Sequence, residues 1–273
     1  MKFFSDFFRA VANCFKAFSV LFEKGLWPYM LVFLFLWLLL WVLSIYGLFI
    51  LADGISNWMS KYIDLNAIPE EGHWLSFIKP YLIGTFKVIV KIIFKLLFWF
   101  ISATFIKYVL LMVLSPVFSL LSEKTEQKLT GNVYSFSFIQ LVKDSVRGIL
   151  ISLRNMLLEY FFIFCCFILC VFFPPIVVCI APFLLLLGWY YVGFSLLDYN
   201  CERHKYSILK SINFIRKNKG TACGIGFVYS VFMALPFMPG SVLGIMFGPS
   251  LGVVGGAISF LEITKTEIRE AEK

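Results

Sequence analysis

Charged residues are scarce in this sequence. They make up 15% of its 273 residues, whereas a soluble domain carries about 25%. Hydrophobic residues account for 60% of the chain and aromatic residues for 19%, with a mean hydropathy of +0.88. The signal comes from long uncharged runs and not from the short alternating segments of a β-barrel. The composition therefore excludes an ordinary soluble domain and predicts an all-α integral membrane protein.

Histidine is also scarce, and only His73 and His204 could join the cysteines as metal ligands. The seven cysteines are an odd number, so they predict no complete disulfide framework, and four of them lie in one apolar segment as small hydrophobes. The chain has no Walker loop, His-Glu-x-x-His motif or dinucleotide fingerprint. We therefore predict neither an enzyme nor an ATP-driven pump, and no cofactor or metal site. The four clustered cysteines are Cys165, Cys166, Cys170 and Cys179.

A cleavable signal peptide is not expected at the start of this sequence. The first apolar run, Leu26–Ala52, has 27 residues, whereas the apolar region of a signal peptide has 7 to 15. We predict that it stays in the protein as the first membrane span. The preceding residues 1–24 carry phenylalanines at helical spacing, which predicts an amphipathic helix at the membrane interface.

Two uncharged stretches, Tyr160–Leu197 and Gly220–Leu261, have unusual lengths of 38 and 42 residues. A turn in each leaves legs of about 17 and 19 residues, or about 25 to 29 Å of helix, against a hydrocarbon core of about 30 Å. Their proline-containing centres carry no charge, although a turn in water is usually polar. We predict two re-entrant helical hairpins, 157–197 and 220–261, that penetrate the bilayer only partly.

Lysine and arginine are distributed unevenly along the chain, which predicts its orientation. Basic residues prevail before Gly25 and again in 198–219, whereas loop 53–79 is mainly acidic, so the positive-inside rule places both termini in the cytoplasm. The single membrane domain 1–273 is then divided into the interfacial helix 1–24, span 26–52, external loop 53–79, long helix 80–121 with the second span, cytoplasmic helices 122–156, hairpin 157–197, basic segment 198–219, hairpin 220–261 and cytoplasmic tail 262–273.

A succession of short motifs resembles the CysZ sulfate permease family and its relatives in the etoposide-induced-protein domain family. The resemblance covers roughly residues 25–261. It implies two full membrane helices and two partly penetrating hairpins, sulfate uptake for sulfur assimilation, a bacterial inner membrane location and a homo-oligomer. The motifs are Ser115-Pro116-Val117-Phe118, Glu123-Lys124-Thr125-Glu126, Pro174-Pro175, Gly188-Trp189-Tyr190, Leu197-Asp198-Tyr199-Asn200, Arg216-Lys217-Asn218-Lys219, Leu235-Pro236 and Gly255-Gly256-Ala257.

The resemblance also implies a substrate-binding position at the start of the first membrane helix. The family carries Gly-Leu-Arg there, with an arginine suited to an anion, and this chain reads Gly25-Leu26-Trp27. By this correspondence of position, Gly25, Leu26 and Trp27 are candidate substrate-binding residues. The indole of Trp27 offers a single hydrogen-bond donor, whereas a guanidinium offers five.

Proline breaks in the second hairpin suggest further candidate anion sites. Helix N-termini inside the membrane attract anions through unpaired N–H groups and the helix dipole. Gly240 and Ser241 follow Pro239, with Ser241 as a possible cap, and Ser250 follows Pro249. The alternative is that both places are tight turns packed against other helices.

Several ionisable residues lie beside or within the predicted spans. Lys107 either extends to the interface or contacts an anion in a cavity. The stripe of Lys87, Lys91 and Lys95 either belongs to a helical stalk or lines an anion path. We expect ion pairs at the boundaries of the first hairpin, between Glu159 and Arg154 and between Asp198 and Arg203.

Two functions remain open at this stage. The first is passive or ion-coupled permeation of sulfate or a related small oxyanion. The second is a non-transporting membrane organiser or interaction protein, favoured by Trp27 and the basic segment 198–219. In either case we expect membrane lipids and further copies of the chain as partners. Nucleic acid is not expected, because the basic residues flank membrane segments and no recognition motif accompanies them.

Overall fold

The computed structural model describes residues 2–62, 107–131, 138–235 and 238–271. These residues form helices joined by short turns, without a β-strand among them. The helices are α1 Lys2–Glu23, α2 Pro28–Tyr62, α3 from Lys107 to Val113, α4 Ser115–Thr130, α5 Phe138–Phe172, α6 Val177–Arg203, α7 Ile208–Lys217, α8 Lys219–Met233 and α9 Met238–Ala271, with a 3₁₀ turn at Pro174–Ile176.

Three of the described helices are long and apolar enough to cross a membrane. The qualifying segments are Phe138–Cys170, Val178–Arg203 and Val242–Arg269, and two bent helix pairs could add further spans. The protein is thus an all-α membrane protein, as the composition predicts. Whether the hairpins cross the bilayer fully or turn back inside it stays a prediction.

The helices of the first hairpin are longer than the uncharged legs predicted from the sequence. α5 has 35 residues and α6 has 27, so both continue beyond the uncharged stretch into the charged flanks. Within these flanks, Arg147 of α5 pairs with Asp198 of α6. The second hairpin is unequal, since α8 has 15 residues and α9 has 34.

The turn of the first hairpin lies where the prolines predict it. α5 ends at Phe172, and α6 begins at Val177 after the 3₁₀ turn. The Phe172 side chain is 83% exposed and Phe173 and Val178 are also exposed, so this turn presents an apolar surface. The break in the second hairpin also lies near its prediction, between α8 and α9, although Pro236 and Phe237 lie outside the described residues.

The predicted long helix 80–121 does not reach residue 121 unbroken. Its described part, α3, ends at Val113, and α4 leaves at an angle of 63°. Pro116 stands in the first turn of α4, where its missing N–H costs nothing but prevents continuation of the preceding helix. The motif Ser115-Pro116 therefore starts a new helix.

The tightest helix contact is the crossing of α6 and α8. A Cβ on Gly226 would lie 1.8 Å from the Trp189 carbonyl oxygen, and a Cβ on Gly193 would lie 1.8 Å from that of Ala222. Small residues four apart on α8, Ala222 and Gly226, and Gly193 on α6 allow this approach, as at many membrane helix interfaces. α8 also packs on α1 and α9, so these four helices surround the core.

The chain divides into two compact units. One comprises residues 1–37 and 108–273, and the other comprises residues 38–107. In the second unit the structure describes the remainder of α2 and residue 107. The candidate site below lies entirely in the first unit.

Candidate functional site

Buried and half-buried polar side chains line the contact between α5 and α6. On α6, Ser195, Asp198 and Glu202 recur at intervals of three and four, so they share one face. Asp144, Arg147, Asn155 and Glu159 face them from α5. We call these seven residues the polar seam. On α5 it extends about 22 Å, from the fifteen-residue separation of Asp144 and Glu159.

Arg147 is the centre of the polar seam. Its Nη2 lies 3.1 Å from Asp198 Oδ1 and its Nε lies 3.4 Å from Asp198 Oδ2, which makes the pair bidentate. Nε also lies 4.0 Å from Glu202 Oε1, and Nη1 donates to the Tyr206 carbonyl oxygen. Both side chains of the Arg147–Asp198 pair are largely buried. The guanidinium is thus held in one orientation by two helices and the following loop.

The loop after α6 is tied to the same carboxylate. Ser211 Oγ, on α7, donates a hydrogen bond to Asp198. Ser207 caps α7, because its hydroxyl accepts a bond of 3.3 Å from the Lys210 N–H. Asp198 therefore joins α5, α6 and α7 at one point.

Farther along α5, the polar seam continues through neutral side chains. Asn155 Nδ2 donates to Ser195 Oγ at 3.0 Å, and Arg154 Nη1 donates to Asn155 Oδ1 at 3.0 Å. The seam ends at Glu159, which accepts a hydrogen bond from the Tyr108 hydroxyl. Because buried polar groups are costly unless paired, this row is an unusual feature for the interior of a membrane hairpin.

Side chains of α4 fix the end of α6. Ser122 Oγ donates to Asn200 Oδ1 at 2.8 Å, and Arg203 Nη2 donates to the Ser119 carbonyl oxygen at 2.8 Å. One residue later, His204 Nε2 lies 3.2 Å from Glu126 Oε1. These contacts hold the part of α6 that carries Asp198 and Glu202.

A cavity of about 270 Å³ opens at the end of the polar seam. α5 and α6 are antiparallel, so the start of one lies beside the end of the other. The cavity combines three basic side chains with two acidic ones. Burial raises the pKa of the Tyr206 phenol at its edge, and the nearby Cys201 adds to the shift. The lining residues are Gln140, Lys143, Asp144, Arg147, Glu202, Lys205 and Tyr206.

Two acidic residues, Asp144 and Glu202, line the cavity together with the basic side chains. Glu202 Oε2 is buried, and no N–H or O–H donor of the described residues reaches it. A cavity with convergent polar groups of this kind is the usual starting point for locating a binding site.

Residues 13–239 match the profile of the family described as sulfate transporter CysZ/etoposide-induced protein 2.4. The chain belongs to this family. The match covers most of the sequence and includes the whole polar seam and cavity. It confirms the family suggested by the sequence motifs and supports a membrane protein of the sulfate-transporter type. A comparison with curated proteins finds no match.

The candidate residues Gly25 and Leu26 form the end cap of α1. Gly25 has a φ of +69°, and its N–H donates to the Phe22 carbonyl oxygen, while the Leu26 N–H donates to that of Leu21. This is the Schellman arrangement, in which a left-handed glycine ends a helix. Both amide donors are therefore already used inside the protein, and a role in binding substrate stays a prediction.

Trp27 precedes the first turn of α2. Its side chain is 49% exposed, and its carbonyl oxygen accepts a bond of 3.0 Å from the Met30 N–H. The corner formed here turns the chain by 105° between α1 and the start of α2. The family's arginine position is thus accessible in this chain but carries an indole.

The expected helix N-terminus at Ser250 does not exist. Gly248, Pro249 and Ser250 lie inside the continuous helix α9, and Ser250 Oγ is buried and donates to the Met246 carbonyl oxygen at 2.6 Å. A proline removes one helical hydrogen bond without always ending the helix. Gly240 and Ser241 lie within the first turn of α9, so Ser241 is not its cap, since the helix already begins at Met238. Their binding roles stay predictions.

The candidate Lys107 lies in α3 and is half-buried. It is not part of the polar seam or of the cavity lining. Lys87, Lys91 and Lys95 lie outside the described residues. The choice between a stalk and an anion path for these lysines stays open.

The predicted ion pair between Asp198 and Arg203 is wrong. Asp198 pairs with Arg147, and the Arg203 guanidinium donates to a carbonyl of α4. Sequence reasoning also missed Asp144 and Glu202 as site residues. One signal in the sequence could have indicated them: charged residues recur at helical spacing toward the apolar parts of α5 and α6. The partner across the hairpin could not be identified, because Arg147 and Asp198 are 51 residues apart.

Proposed function

We propose that the protein is a permease for sulfate or a related small oxyanion, feeding sulfur assimilation by a passive or ion-coupled route. One observation carries this proposal: a row of buried polar side chains follows a membrane hairpin and opens into a cavity with three cations. Such rows are expensive in a membrane and are typically associated with transport pathways. Family membership supports the same class of function.

The cations of the cavity suit an oxyanion. Lys143, Arg147 and Lys205 converge on it, and a guanidinium can bind two oxygens of a tetrahedral anion at once. Arg147 is held by Asp198 in the resting structure, and a guanidinium has five N–H donors. An entering anion therefore binds beside Asp198 and does not displace it, because displacement would leave the buried carboxylate without its partner.

Uptake by purified protein tests the proposal. Proteoliposomes and empty liposomes are given labelled sulfate, sulfite and thiosulfate in parallel. We expect uptake of at least one oxyanion above that of empty liposomes. Equal retention for all three would contradict transport and favour the second function, a non-transporting membrane organiser.

The second function is favoured by one observation at the family's arginine position. Trp27 supplies no cation, and the adjacent amides of Gly25 and Leu26 are used in the end cap of α1. Reintroducing the guanidinium distinguishes the two functions. A permease gains sulfate affinity from Trp27→Arg, whereas an organiser shows no uptake in either form.

We further propose a homo-oligomer in a bacterial inner membrane, with both termini cytoplasmic. The basic residues near the N-terminus and in 198–219 support this orientation. Labelling of single cysteines introduced at Lys2 and Lys265 in intact cells tests it. An impermeant reagent is expected to label neither without cell lysis.

A further inference from the structure

Three residues in the described part of the chain have a positive φ, and each lies just after a helix. Gly25 follows α1 with a φ of +69°, and Gly131 follows α4 with a φ of +77°. After α6 the corresponding residue is Lys205, with a φ of +56°. Glycine adopts this conformation without strain, whereas a residue with a Cβ adopts it at a cost in free energy. The end of α6 therefore carries a lysine where the two other helix ends carry glycine.

The hydrogen bonds around Lys205 are those of a Schellman motif. The Lys205 N–H donates to the Glu202 carbonyl oxygen at 2.8 Å, and the Tyr206 N–H donates to that of Cys201 at 3.1 Å. Both bonds use main-chain atoms, so glycine at position 205 would form them with less strain. The side chain of Lys205 is thus the feature that glycine could not supply.

The residues on either side of Lys205 are anchored to other helices. His204 Nε2 lies 3.2 Å from Glu126 Oε1 on α4. The Tyr206 carbonyl oxygen accepts a hydrogen bond from Arg147 on α5, and the Tyr206 ring packs against α9. The strained backbone is therefore held in place by α4, α5 and α9. Strain of this kind persists where the surrounding structure imposes it, and it is concentrated at binding and active sites.

The Lys205 side chain lines the cavity at the end of the polar seam, together with Lys143 and Arg147. Arg147 is already paired with Asp198 at 3.1 Å. Among the residues that the structure describes, no carboxylate forms an ion pair within 4.0 Å of the ammonium of Lys143 or Lys205. These two ammonium groups are therefore available to an anion that enters the cavity.

From these features we infer that Lys205 is a specificity-determining residue, whose charge makes the cavity prefer doubly charged oxyanions to singly charged ones. Its ammonium binds an oxygen of the anion, and the anchored backbone keeps that ammonium at the cavity. The inference rests on the proposed function, since it concerns the same cavity. Its test measures binding and not uptake, so the two can fail separately.

The preference for a double charge follows from Coulomb's law. The interaction of an anion with one cation is proportional to the charge of the anion, so loss of the Lys205 charge costs a dianion twice the free energy that it costs a monoanion. The factor by which affinity falls for the monoanion is therefore squared for the dianion. Lys205 is exposed, and an exposed ion pair changes an affinity by up to about fivefold.

Sulfate and perchlorate test the inference, because both are tetrahedral and they differ in charge. Equilibrium dialysis of the detergent-solubilised protein at low ionic strength gives both dissociation constants. For Lys205→Gly we expect affinity to fall about threefold for perchlorate and about tenfold for sulfate. Lys205→Arg keeps the charge and is expected to keep the preference for sulfate. An equal fall for the two anions, or no sulfate binding by the wild type, would overturn the inference.

The stability of the same variant separates binding from a purely structural role. Lys205→Gly relieves the left-handed strain, so its melting temperature is expected to rise by about 2 °C while its sulfate affinity falls. A variant that is more stable and binds sulfate as wild type does would show that position 205 only ends α6, and would contradict the inference. A lower melting temperature would contradict the strained conformation on which it depends.

Lys265→Gln is the matched control for charge. It removes an exposed lysine of α9 that does not line the cavity, and it is expected to leave both dissociation constants unchanged. An equal loss of sulfate affinity in this control would show that net charge governs binding, and would overturn the inference. Sulfate binding that depends on Lys205 in a protein without uptake would refute the permease and support the inference. Uptake together with binding that does not depend on Lys205 would do the reverse.

Discussion

Arg147 and Asp198 form a buried bidentate ion pair that joins the two helices of the first hairpin, with 3.1 Å between Arg147 Nη2 and Asp198 Oδ1. The pair stands between an apolar interior and a charged cavity. Breaking a buried pair by removing one partner leaves the other charge without compensation. Stability and function are therefore expected to depend on both residues together.

Replacement of Arg147 by methionine is predicted to destabilise the protein by about 3 to 5 kcal/mol. The physical reason is that Asp198 keeps its buried charge and, among the residues that the structure describes, retains Ser211 as its donor. The free energy of unfolding in detergent micelles measures the loss. The double variant Arg147→Met with Asp198→Leu is expected to be more stable than Arg147→Met alone. A double variant that loses the sum of both single effects would contradict the coupling of these residues.

The crossing of α6 and α8 is predicted to tolerate no side chain at Gly226. Gly226→Ala places a methyl group where the Trp189 carbonyl oxygen lies, 1.8 Å away, so the helices must separate. We expect a loss of stability of about 1 to 3 kcal/mol or more, the range for overpacked cores. Gly256→Ala is the matched control on α9, since its nearest contact would lie at 3.4 Å. Similar melting temperatures for the two variants would argue against this crossing.

Gly25 is predicted to be required for its backbone conformation alone. A Cβ at this position would meet no atom within 4 Å, but its φ is +69°. Gly25→Ala is therefore expected to cost about 1 to 2 kcal/mol, and Gly25→Asn less, because asparagine adopts the left-handed conformation more readily. Thermal unfolding of the two variants measures this order. An alanine variant at least as stable as the asparagine variant would contradict the end cap described for α1.

Trp27→Arg is predicted to raise sulfate affinity. The side chain at this position is half-exposed, so an arginine can be accommodated there, and it adds a bidentate donor for an oxyanion. The measurement is the half-saturating sulfate concentration for uptake into proteoliposomes, which is expected to fall. Trp27→Phe, which removes the indole without adding charge, is expected to show no such gain. An equal gain in both variants would rule out the guanidinium as its cause.

The positions of the hairpin turns could be predicted from sequence, because proline and local charge determine them. The first turn follows Phe172, as the Pro174-Pro175 pair indicates. The leg lengths could not be predicted in this way. An unpaired charge ends a membrane segment, but Arg147 and Asp198 neutralise each other across the hairpin. This contact depends on how α5 and α6 are aligned along each other, which cannot be read from the residues near either position.

The helix break at Leu114 and the continuity of α9 show a second limit. Pro116 begins a helix, whereas Pro249 lies inside one. The difference depends on whether neighbouring helices compensate for the missing hydrogen bond. The sequence around each proline does not carry that information. The helix N-terminus expected at Ser250 is absent for this reason.

Sulfate uptake by Arg147→Lys proteoliposomes, compared with wild-type protein and the surface control Lys265→Gln, tests the central claim most directly. Lysine keeps the positive charge but loses the bidentate geometry toward Asp198 and an entering oxyanion. Folding of each variant is first verified by its melting temperature. The account predicts that uptake by folded Arg147→Lys falls at least tenfold while the control matches wild type. Wild-type uptake in the folded Arg147→Lys variant would contradict a role for the polar seam in permeation.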